Sequence, residues 1–107
     1  MHRPGTDKEF NDLLVECIDE TMTALFSREV AQALFLHLQK VHSTSKNEIP
    51  YQLEILVTAL ERMFGHRSSG VICKVIARKF YAKLNLRFDD HPERTFLDYV
   101  KEAKIKL

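Results

Sequence analysis

An all-α domain is the fold that the sequence predicts, and three observations carry it. Apolar residues recur at helical spacing in five separate stretches, cap residues stand at the starts of several of them, and strand-like alternation is nearly absent. At 107 residues the chain fits one domain over 1–107, with residues 1–6 expected to be flexible because polar composition and a free end coincide there. The expected architecture is about five helices in an irregular or orthogonal bundle.

Thr6-Asp7-Lys8-Glu9 has the spacing of a capping box. Beyond it Phe10, Leu13, Leu14, Cys17, Ile18, Thr21 and Leu25 fall within about 140° of arc at about 100° per residue, with Glu9, Asp12, Glu16, Asp19 and Glu20 opposite. Ser27 is placed to cap a second helix, with Glu29 in its first turn. There Val30, Ala31, Leu34, Phe35, Leu38 and Val41 spread over a wide arc, which predicts burial on more than one side. His42 to Asn47 reads as a polar loop.

Ile49-Pro50 announces a third helix, since proline is tolerated in a first turn. Its core stripe is Leu53, Leu56, Val57, Leu60, Met63 and Phe64, and Gly65 stands where a terminating glycine belongs. Ser68 or Ser69 is expected to cap a fourth helix that runs to about Leu84. Residues 85–94 form a connection, extended and pinned by Leu86 and Phe88. Thr95 with Asp98 caps a last helix through Phe96, Leu97, Tyr99, Val100 and Ala103, with lysines at its C-terminal end.

The fourth helix holds what functional signal there is. Val71 to Leu84 lacks Gly, Pro and acidic residues, and Ile72, Cys73, Ile76, Ala77, Phe80 and Leu84 make its core face. Arg67, Lys74, Arg78, Tyr81 and Asn85 align on another face, and Lys79 with Lys83 on a third. From Arg62 through Arg87 there are seven Lys or Arg and no carboxylate, while Asp7 to Glu20 holds six carboxylates against Lys8. The two faces either meet solvent and attract each other at long range or recognise an acidic partner, a second copy of the chain or nucleic acid. Val71 and Val75 lie off the core arc. Cover by neighbouring helices is the first expectation for them, and a subunit contact in a homodimer the second.

Several chemistries are excluded or weakened by motif. Gly65-His-Arg-Ser-Ser-Gly70 matches the start of a phosphate loop, but Val71 and Ile72 replace its lysine and hydroxyl, and a helix rather than a strand precedes it. A lesser anion reading survives, with Ser68, Ser69 and Gly70 at a helix start beside His66 and Arg67. Helices three and four form a helix-turn-helix only loosely, because the turn reads as longer than that motif's. Net charge of +1 also lacks the basicity of an autonomous DNA binder. His2, His37, His42, His66 and His91 show no zinc spacing, no nucleophile motif is present, and no carboxylate sits in an evidently apolar context. Neither enzymatic activity nor a metal or cofactor is expected. Cys17 and Cys73, with no apolar leader and no membrane-length run, point to a cytoplasmic protein with reduced thiols rather than a disulfide.

With these residues laid out, the middle of the chain resembles a family of small archaeal helical domains, the Nitrosopumilus-type output domain. The resemblance lies in Ala33-Leu-Phe-Leu-His-Leu38, Glu48-Ile49-Pro50, Ala59-Leu-Glu61 with Phe64-Gly65, Val71-Ile72, Ile76, Lys79-Phe-Tyr-Ala-Lys-Leu84 and Leu86. It covers roughly residues 18–88 and consists of core, cap and turn positions. Where the family's ending has glycine, this chain has Asn85, which also tolerates the left-handed conformation. The resemblance implies a signalling or regulatory output module and brings no catalytic residues. The expected function is a non-enzymatic interaction or regulatory module that binds a protein partner or itself. Its expected surface is Arg67, Ser68, Ser69, Lys74, Arg78 and Tyr81, with Val71 and Val75 as subunit contacts. The alternative is a nucleic-acid-binding regulator using 71–84 and the 65–70 turn.

Overall fold

The computed structural model describes residues 7–107, so the Thr6 cap and the expected flexibility of residues 1–6 lie outside the described residues. Within them the chain is all-α: α1 (Asp7–Leu25), α2 (Arg28–His42), a 3-10 turn (Lys46–Tyr51), α3 (Leu53–Phe64), α4 (His66–Lys83) and α5 (Phe96–Lys106). Its radius of gyration of 13.1 Å is that of one closely packed domain of this length.

Helix α4 is the central element and packs against α1, α3 and α5. All six residues of its expected core face are buried, and Phe80 meets Phe10 of α1 edge to face at 5.0 Å. Helix α1 turns Phe10, Leu14, Cys17, Ile18, Thr21 and Met22 inward, while Leu25 at its end is exposed. Helix α2 is more peripheral than its wide apolar arc predicts. Only Ala31, Leu34 and Leu38 are buried, at spacings of three and four, and Leu36 and Val41 face outward. It packs mainly on α1 and α3, so a single stripe suffices. In α3 the stripe is Leu53, Leu56, Ala59 and Leu60, with Met63 exposed.

Local chemistry fixes the ends of these elements. Val30 N–H donates to the Ser27 hydroxyl at 3.1 Å, so Ser27 caps α2 as expected. The third helix starts later than Pro50 suggests. Residues 46–51 form a 3-10 turn with its own Ser45–Glu48 capping box, and α3 begins only at Leu53. Gln52, at φ −137° and ψ 49°, leaves helical backbone and separates the turn from the helix. Asn85 takes the left-handed conformation (φ 59°) just past α4. Leu86 N–H then donates to Tyr81 C=O and Asn85 N–H to Ala82 C=O, a Schellman ending.

The junction of α3 and α4 corrects two expectations. Gly65 alone separates them, at φ 87° and ψ 163°, so the turn is shorter, not longer, than a helix-turn-helix loop. Because Gly65 ends one helix and starts the next, neither Ser68 nor Ser69 is a cap. Both lie inside the first turns of α4, and Ser69 is buried.

Candidate functional site

The 85–94 connection folds back across α4 and makes the surface on which the predicted residues converge. Three aromatic rings hold it there. Phe88 stands edge-on to Tyr81 at 5.3 Å and lies 4.9 Å from Tyr99 of α5. The Tyr81 hydroxyl donates to Tyr99 C=O at 2.6 Å, and the Tyr99 hydroxyl accepts from His91 N–H at 2.8 Å and donates to His91 C=O at 3.0 Å. Tyr81 is therefore a buried strut, not part of a partner surface. Burial, the largest cause, pushes its phenol above the ordinary range.

Between α4 and this connection runs a groove of about 430 Å³ lined by Arg67, Gly70, Val71, Lys74, Val75, Arg78, His91, Pro92 and Arg94. Five of the predicted residues thus meet in one place: Arg67, Lys74 and Arg78 from the basic face, Val71 and Val75 from the ridge. The chain does not cover Val71, which is 61% exposed, while Val75 is half-buried. Cover by neighbouring helices therefore holds only in part. Ser68 is exposed and outside the groove, and Ser69 turns inward on the other side of the helix.

Acidic side chains of the same molecule already pair with much of the basic charge. Lys74 lies 3.0 Å and Arg78 3.6 Å from Asp90 on the connection. These cations hold the Asp90 carboxyl below its ordinary value, chiefly through the Lys74 hydrogen bond. Arg94 pairs with Glu102 at 2.8 Å. The other basic strip faces α1, where Lys83 lies 2.7 Å from Glu20 and 3.2 Å from Glu16, and Lys79 3.6 Å from Glu20. The acidic face of α1 and this strip of α4 are thus in direct contact, closer than the long-range attraction that the charges suggest. Arg67 has no ion pair among the described residues. The groove consequently keeps an excess of positive charge beside apolar Val71, Val75 and Pro92.

Sequence reasoning missed His91, Pro92 and Arg94 as lining residues. They lie outside every helical period, and only the aromatic pins on Phe88 and Tyr99 bring them beside α4. Cys17 and Cys73 are free and buried, and burial pushes each thiol up to about 11. Among the described residues no three His, Cys, Asp or Glu side chains converge as metal ligands, and no helix is long and apolar enough to cross a membrane. No protein-family model matches the chain, and neither a curated protein nor a solved structure matches it significantly.

Proposed function

We propose that the protein is a non-enzymatic interaction module whose groove between α4 and the 85–94 connection docks an acidic, apolar-bearing segment of a partner protein. One observation carries this reading: Val71, Val75 and Pro92 line the same groove as Arg67, Lys74 and Arg78. An exposed valine beside these cations suits a ligand that brings apolar side chains and carboxylates together. Asp90 already shares the charge of Lys74 and Arg78, which favours such a segment over the dense phosphates of nucleic acid. The signalling-output role implied by the resemblance is a natural use for such a module.

The test is fluorescence anisotropy with a labelled helical peptide of leucines and glutamates, beside its lysine counterpart and a DNA duplex. The glutamate peptide should bind saturably and more weakly as salt rises, and Val71→Asp should abolish binding while leaving helicity intact. Tighter binding of the duplex would move the assignment to nucleic acid. Dimerisation that Val71→Asp removes would make the occupant a second copy.

A further inference from the structure

A second cavity, of about 480 Å³, opens between α3, α4 and the start of α5, within the size range of small-ligand sites. Its walls carry opposite charge. Glu54, Val57 and Glu61 line it at spacings of three and four along α3. Glu61 is engaged by His66 at 2.6 Å, whereas Glu54 is exposed and has no ion pair among the described residues.

The opposite wall holds the starts of two helices. Gly65 brings α4 no side-chain cap, so the N–H groups of its first turn lie outside the helical ladder. At α5 the Thr95–Asp98 box takes up the N–H groups of Thr95 and Asp98 and leaves those of Phe96 and Leu97 outside the ladder. Both helix starts carry partial positive charge, and Arg94 and Lys74 add full cations that already have carboxylate partners.

Ser69 is the independent sign that something polar belongs here. It lines the cavity at 1% exposure, and its hydroxyl oxygen has no oxygen or nitrogen partner. The Cys73 thiol one turn along is its polar neighbour: burial raises that thiol's pKa, and a side-chain hydrogen bond from Ser69 lowers it by less. A thiol is a weak partner and leaves the hydroxyl's demand unmet. Buried hydroxyls are normally satisfied, so an unmet one on a cavity wall points to a ligand.

We propose that this cavity binds a free α-amino acid with an apolar side chain. The carboxylate lies at the start of α5 beside Arg94 and the Ser69 hydroxyl, the ammonium at Glu54, and the side chain against Val57, Cys73 and Phe96. A zwitterion uses both walls, whereas a simple anion meets two carboxylates on α3 and a simple amine meets two helix starts.

Amide spectra of the nitrogen-labelled chain, titrated with L-leucine, isovalerate and isoamylamine, test this. Leucine should give saturable shifts at Gly70, Phe96 and Leu97 and bind more tightly than either half-ligand. Glu54→Gln, at an exposed position that keeps the fold, should weaken leucine at least about tenfold and leave isovalerate unchanged. No saturable shift with leucine, equal binding of isovalerate or isoamylamine, or an indifferent Glu54→Gln would each overturn the proposal. Glu54 belongs to this cavity and not to the α4 groove, so failure here leaves peptide docking standing.

Discussion

Phe80 and Tyr81 are neighbours on α4 with opposite legibility. Phe80 is fully enclosed and lies on the arc of Ile72, Ile76 and Leu84, so helical period alone assigns it to the core. Phe80→Ala should cost about 3–5 kcal/mol, read from urea melts, and a loss below about 1 kcal/mol would contradict its placement against Phe10. Tyr81 sits about 100° further round the helix, on the arc of Lys74 and Arg78. It is buried because residues far along the chain fold over it. Tyr81→Phe removes the 2.6 Å hydrogen bond to Tyr99 C=O and should cost about 1–2 kcal/mol in the same assay. A cost that small would leave helix content unchanged.

The helices themselves were readable because their signals are local. Thr95 and Asp98 form the reciprocal cap that their spacing predicts, and Thr95→Ala should lose about 1 kcal/mol by thermal melting. Gly70 behaves differently from its appearance in a phosphate-loop-like string. It lies inside α4 with ordinary helical backbone, and an added Cβ meets nothing within 4 Å. Gly70→Ala should therefore stabilise the protein by about 0.5–1 kcal/mol. Gly65→Ala should do the reverse, because its φ of 87° disfavours any side chain however much space surrounds it. The delayed start of α3 was less legible, since proline fits both a first helical turn and a 3-10 turn.

Across the whole molecule, charge links elements that are remote in sequence. Glu20 and Asp90 are held below their ordinary values chiefly by hydrogen bonds from Lys83 and Lys74, and Glu48 and Asp98 by backbone N–H groups at caps. A carboxyl depressed on folding stabilises the fold above its unfolded pKa and loses that contribution as pH falls through the folded value. Melting temperature should hold down to about pH 5 and then fall below the ordinary carboxylate values of 3.8 and 4.5. Lys83 has the opposite sign. Burial lowers its pKa, but hydrogen bonds from its ammonium to Glu20 and Glu16 outweigh that and raise it, so its share is lost only as pH rises through a value above 10.5. These pairs are partly exposed, and each should add little and weaken with salt.

The sequence by itself determined the all-α class, most of the core faces and three of the helix caps, because apolar period and cap chemistry act over a few residues. It also marked Arg67, Val71, Lys74, Val75 and Arg78, since a shared helical face follows from spacing. Only the tertiary structure decided which of their charges are already paired, that Tyr81 and Ser69 turn inward, and that Arg94 and Pro92 complete the groove. Those outcomes depend on where the 85–94 connection and α1 lie against α4, and contacts between distant residues leave no period in the chain.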